Sequence, residues 1–173
     1  SAFADRLASL KGELFRASSR ADAGRILLEL LKKETPPFVF DDSELLRDIC
    51  LSCHELSSLY SSRLALDDNN NNFSSASVGI SSSSYFLASS GSILLVSSKA
   101  GGRRLSVLPP VHIAVCEVTQ VINSLGNWLR EISEDSSWSS ASIITGPSRT
   151  ADIEKILVLG AHGPKRLIAL LID

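Results

Sequence analysis

A layered α/β fold with a largely parallel or mixed sheet is what this sequence predicts, on three observations. Its 173 residues suit one ordinary core. With 44% hydrophobic and 21% charged residues, the chain can bury a sizeable interior and is unlike a disordered segment. Apolar, β-branched runs bounded by Ser, Gly or Pro alternate with stretches of helical spacing, the pattern of strands interleaved with helices.

Taken in order, Phe3, Leu7, Leu10 and Leu14 recur at helical spacing and predict a helix from Phe3 to Phe15. Ile26 to Leu31 continues the apolar face of a second helix after Ala21, and Thr35-Pro36-Pro37 stops it, so residues 1–35 read as N-terminal helices. Phe38 to Phe40 reads as a short buried strand. Asp41-Asp42-Ser43-Glu44 has the spacing of a capping box, and Leu45, Ile49, Cys53, Leu56, Leu59 and Leu64 then trace a third helix. Asp67, Asp68 and Asn69 to Asn72 cannot bury apolar area, which makes residues 66–76 a surface loop within a single 1–173 domain. Val78 to Ile80, Ser92 to Ser97, Val111 to Cys116, Ser142 to Thr145 and Arg166 to Ile172 read as strands, with Gly101 to Arg104 as a turn. Val118, Val121, Ile122, Leu125, Leu129 and Ile132 predict one more helix, and no internal repeat is visible.

Several function classes fall away at this level. The 17 Lys and Arg against 19 Asp and Glu leave a net charge of −2, without the basic footprint of a nucleic-acid binder. The longest apolar runs, Ile156 to Leu159 and Leu167 to Ile172, fall far short of the roughly 18 residues of a membrane span. Three cysteines build no disulfide framework, and no signal-like segment opens the chain, so a thiol-reduced cytoplasm is the expected compartment, or an organelle in a eukaryote. Cys50-Leu51-Ser52-Cys53-His54 has the spelling of a haem attachment, but it lies within a predicted amphipathic helix and is expected to hold reduced core thiols without haem or metal. No Walker loop, dinucleotide fingerprint or iron–sulfur cysteine spacing occurs, so any electron transfer is assigned to partners.

The chemistry collects at Thr145 to Thr150. This stretch directly follows an apolar strand, and open α/β sheets bind ligands outside the carboxyl ends of their strands. Gly146 lets backbone approach a ligand, Ser148 and Thr150 offer hydroxyls, and Arg149 presents a planar fork for a carboxylate or phosphate. Asp152 and Glu154 are candidates for base and orienter, although residues two apart point to opposite sides when extended. His162, in the Gly160 to Pro164 turn, is placed to transfer protons; His112, inside an apolar strand, reads as a hydrogen-bonded core residue or a ligand contact. Gly91 is expected to line the same pocket as Ser148 and His162.

Ile143-Ile144-Thr145-Gly146-Pro147-Ser148-Arg149-Thr150-Ala151-Asp152-Ile153-Glu154, followed by Leu159-Gly160-Ala161-His162-Gly163-Pro164, closely resembles the signature of the LUD domain, the lactate utilization protein C family. Leu108 to Val115 and Ala88 to Ser92 resemble further family segments in the same order, so the likeness runs from about Val78 to Asp173. It implies a three-layer α/β/α sandwich similar to glucosamine-phosphate deaminases, ribose-phosphate isomerases and coenzyme A transferases. It also implies a place in oxidation of L-lactate to pyruvate beside iron–sulfur subunits, with no cofactor on this chain itself. Where the family reads Gly-Ala-Asp and Ala-Glu-Thr-Gly, this chain has Ser82-Ser83-Ser84 and Ala88-Ser89-Ser90-Gly91, so Ser84 and Ser89 replace two carboxylates. Two other readings follow from the same residues: an autonomous sugar-phosphate isomerase or acyl-transferase-type enzyme, or an inactive binding or scaffold module.

Overall fold

Five strands make the central sheet, all parallel: β1 (Glu13–Ala17), β2 (Phe38–Phe40), β3 (Val78–Ser82), β6 (Val111–Glu117) and β11 (Arg166–Ile172), in the spatial order β1-β11-β6-β3-β2. A second sheet, ordered β7-β4-β5-β8, is built from β4 (Tyr85–Leu87), β5 (Ser92–Ser97), β7 (Val121–Ile122) and β8 (Ser140–Ile144), with β5 antiparallel to both neighbours. β9 (Arg149–Ala151) and β10 (Leu157–Leu159) form an antiparallel pair. The computed structural model describes residues 2–62, 75–97, 102–131, 138, 140–151, 157–159 and 163–173.

The parallel sheet is buried on both faces, as its near-continuous apolar strands require. On one face α2 (Arg20–Leu31), α3 (Glu44–Leu51) and α4 (His54–Ser61) pack Leu27, Leu31, Leu46, Ile49, Leu56 and Tyr60 against Phe40, Ile80, Ile113 and Leu170. On the other, Ala114, Cys116, Leu167, Ala169 and Leu171 meet Phe3 and Leu7 of α1 (Ala2–Ser9) and Phe86 and Ile93 of the second sheet. Each fully buried Leu, Ile or Phe of these layers contributes roughly 1.5 to 3 kcal/mol. Phe3 stacks on Phe86 with ring centroids 4.7 Å apart, tying α1 to the second sheet. α5 (Gly102–Val107) covers the β2–β3 side through Leu105, which clusters with Val39 and Ala76. Gly79 is the residue that permits this, because a Cβ there would collide with the Leu105 carbonyl.

The predicted strands at Phe38 to Phe40, Ser92 to Ser97 and Arg166 to Ile172 have the expected bounds, and those at Val78, Val111 and Ser142 shift by a residue or two. Four expectations need correction. The helix foreseen from Phe3 to Phe15 ends early: the amides of Lys11 and Gly12 bond to the carbonyls of Ala8 and Leu7, and Lys11 takes a left-handed φ of 68°, a Schellman ending that turns the chain into β1. The third helix is two, since the Ser52 hydroxyl donates to the Ile49 carbonyl and Cys53 is extended before α4. The turn foreseen at Gly101 to Arg104 runs into α5, anchored by buried Leu105. The helix foreseen from Val118 to Ile132 is a 3-10 turn, then β7 paired with β4, then α6 (Leu125–Glu131), because β-branched Val121 and Ile122 join a strand edge instead. Apart from Ser75 and Ala76, the foreseen 66–76 loop lies outside the described residues.

Candidate functional site

β8 runs antiparallel to β5, and this sets where the signature loop goes. Thr145, just past β8, sits beside Ser92 at the start of β5, with 2.9 Å between their hydroxyl oxygens. The Ser148 amide donates to the Pro164 carbonyl at 2.8 Å, and a Cβ on Gly163 would lie 3.2 Å from that of Ser148. Pro164 lies two residues before the start of β11, and the Pro110 carbonyl before β6 accepts from the amides of Lys165 and Arg166. Thr145 to Ser148 therefore lies at the amino-terminal edge of the parallel sheet. The expectation that this loop lies outside the carboxyl ends of that sheet is corrected: the strand it leaves belongs to the second sheet.

Both signature glycines face α1. Gly146 has φ +82° and a Cβ there would stand 3.0 Å from the Leu10 carbonyl oxygen; Gly91 has φ +67° and its Cβ would stand 2.6 Å from the Leu7 amide nitrogen. Only glycine combines a left-handed backbone with so close an approach. The space foreseen for a ligand beside Gly146 holds the end of α1. Arg149 and Thr150 are strand residues, paired through the backbone with Leu159 and Val158. Asp152, Glu154 and His162 lie outside the described residues; Gly163, next to His162, is the part of that turn seen against Ser148.

An ionic clamp lies close beneath. Arg166, the first residue of β11, engages Glu13 of β1 in bidentate fashion (2.5 and 2.8 Å) and reaches Glu34 at 3.3 Å. The guanidinium bonds hold the Glu13 carboxyl below its ordinary range despite partial burial.

His112, second residue of β6, is fully buried, and its Nε2 lies 2.8 Å from Oγ of buried Ser81 on the neighbouring strand β3. Burial pushes its pKa down to about 4, so the ring is neutral at physiological pH. Nδ1 has no hydrogen-bond partner among the described residues. Sequence reasoning singled out His112 and took Ser81 to Ser84 as a short segment packed near a ligand cleft, without pairing the two; the shared face of adjacent parallel strands is visible only once their register is known. Four residues further along β6, burial pushes the Cys116 thiol up to about 12, so it stays protonated and unreactive.

Of the two serines that the resemblance sets against carboxylates, Ser84 is engaged through its side chain and Ser89 through its backbone. The Ser84 amide donates to the Leu94 carbonyl at 3.0 Å while its Oγ accepts from the Val96 amide at 3.1 Å, and the exposed Ser89 amide donates to Asn123. At the carboxyl edge of the parallel sheet, Asp41 accepts from the amides of Ser82 (2.5 Å) and Ser43 (3.1 Å), and burial still raises its carboxyl above the usual range. Arg20 bridges Asp48 and Glu117 there in solvent. Cys50 is buried in α3 and Cys53 half-buried at the start of α4, neither of them in a disulfide.

The fold and these loops define a layered α/β protein whose Thr-Gly-Pro-Ser and Gly-Pro turns meet at one end of the sheet. The chain belongs to the LUD domain family, whose pattern matches residues 1–172. It is similar to proteins named lactate utilization protein C: 35% identical over 77 residues to that of Oceanobacillus iheyensis (42% of this chain, 33% of the relative), and 39% identical over 77 residues to that of Bacillus pumilus (42% and 32%). The matched stretches thus span about a third of the length of these relatives. Among solved structures, a crystal structure of a DUF162 family protein from Deinococcus radiodurans superposes with a TM-score of 0.71 at 15% identity, covering 99% of this chain and 94% of that one, which shows the shared fold. Among the described residues, no helix is long and apolar enough to cross a membrane.

Proposed function

We propose that this chain serves L-lactate utilization in the cytoplasm by binding a small carboxylate or phosphorylated anion beside Arg149, while iron–sulfur partner subunits carry the electrons. The observation that carries this reading is the family match over residues 1–172, joined to relatives named for lactate utilization. Oxidation of L-lactate to pyruvate releases two electrons and two protons, and the sequence offers no cysteine spacing for a cluster of its own. The chain's share is then to hold the anion: Arg149 as the charged fork, Thr145, Ser148 and Thr150 as hydroxyl donors, and His162, Asp152 and Glu154 as proton-handling groups. L-lactate oxidation is to be measured in a strain lacking the gene and again with the gene restored. The reading requires flux that falls and recovers; flux unchanged by the deletion overturns it.

A second reading, a binding module without turnover, is favoured by Ser84, whose Oγ is engaged by the Val96 amide and which cannot do the acid–base work of a carboxylate. It predicts normal anion binding together with full lactate flux in the deletion strain.

A further inference from the structure

On the face of the parallel sheet that meets the second sheet, β6 and β11 present Ala114, Cys116, Leu167, Ala169 and Leu171. His112, two residues before Ala114 and therefore on that face, is the polar exception. It lies opposite Leu167, three residues past the Pro164 whose carbonyl holds the Ser148 amide, and so belongs to the same end of the sheet as the signature turns. A Leu or Val would fill the position without a polar group to satisfy.

The hydrogen bond between Ser81 and His112 has two possible senses. If Nε2–H donated to Ser81, both the serine proton and bare Nδ1 would lack partners among the described residues. If the Ser81 hydroxyl donates to Nε2, a single orphan is left, the Nδ1–H. The second arrangement leaves fewer buried groups unsatisfied and is therefore favoured. It turns a neutral imidazole into a fixed donor with no acceptor among the described residues.

We propose that Ser81 is a positioning residue that holds His112 in the Nδ1–H form, and that this N–H is reserved for the 2-hydroxy or 2-oxo oxygen of a small 2-substituted carboxylate. The assignment rests on the anion-binding reading above and deepens it. A neutral donor in apolar surroundings matches an uncharged carbonyl or hydroxyl oxygen, whereas the charged end of the same molecule calls for a cation. The site then distinguishes lactate and pyruvate from inorganic phosphate, which has no such second oxygen beside a carboxylate.

The test uses the full chain with 15N-labelled histidine. Pyruvate, L-lactate and inorganic phosphate are titrated in turn, with binding heat followed by calorimetry and the His112 ring nitrogens by NMR. The proposal expects a neutral Nδ1–H ring, a shift of Nδ1 on saturation with pyruvate or lactate, and no such shift with phosphate. Ser81→Ala should weaken pyruvate binding about tenfold and mix the tautomers, and Ser81→Thr, which keeps the hydroxyl, should restore both. Binding heat with an unmoved Nδ1 overturns this assignment alone and leaves His112 as a core residue satisfied by an internal water. Absence of heat with all three anions overturns the anion-binding reading and this inference with it.

Discussion

Glu13 and Arg166 meet under partial burial at the amino-terminal edge of the parallel sheet, and Arg16 and Asp173 meet in solvent at its carboxyl edge. β1 and β11 supply the first pair, and β1 with the residue just past β11 supplies the second. At the first edge the ion pair sits beneath turns that interlock: Ser148 on Pro164, Gly146 on Leu10, Lys165 and Arg166 on Pro110. At the second, Arg20, Asp48 and Glu117 close the surface with exposed pairs of the kind worth little in water. Open α/β sheets usually place ligands at the carboxyl edge. Here the family signature goes to the other one, because the chain between β6 and β11 passes through the second sheet and returns along β8. Where a motif ends up depends on which sheet its strand joins, which is a property of the topology.

The sharpest way to break this comparison is Gly91→Ala. An alanine would carry the left-handed backbone penalty and press on the Leu7 amide and Arg6 carbonyl carbon, both backbone atoms of α1. The expected loss is roughly 3 to 5 kcal/mol in urea unfolding. A loss below about 1 kcal/mol would mean that α1 is not clamped at this end.

A pH series sharpens it next. The folded-state pKa of His112 is about 4 against an ordinary value of 6.5, so the unfolded chain takes up the proton first. The stabilising contribution is complete above pH 6.5 and is lost as pH falls toward 4, by about 3 kcal/mol in all. In His112→Gln that part of the slope should vanish; equal slopes for the two proteins would place the ring in contact with water.

The smallest effect separates the two edges directly. Arg166→Met should cost about 1 kcal/mol, since its bidentate bonds to Glu13 are only partly screened. Arg20→Met, in exposed pairs, should leave the thermal midpoint where it is. Equal losses at the two positions would erase the distinction drawn between the edges.

Legibility in the sequence followed physical signal strength. Ser92 to Ser97 and Arg166 to Ile172 are uninterrupted apolar runs with polar or Gly boundaries, and their bounds were readable. β1 was hidden because Leu10 and Leu14 continue the helical spacing of Phe3 and Leu7, and the residue that stops α1 in a left-handed conformation is Lys11 where glycine would have announced it. β4 has three residues, too few for a period. In the candidate site, the residue chemistry of Thr145 to Thr150 was legible, but the edge it occupies and the pairing of Ser81 with His112 depend on strand register, which no local pattern encodes.

Calorimetric titration of L-lactate and pyruvate into wild type, Arg149→Lys and Arg20→Lys, at matched folded stability, tests the central claim most directly. Replacing a planar fork by a point charge at the ligand edge should weaken binding by about 1.5 to 3 kcal/mol in Arg149→Lys, with Arg20→Lys indistinguishable from wild type. Identical affinities for wild type and Arg149→Lys, or a loss confined to Arg20→Lys, would contradict the account and move the site to the carboxyl edge.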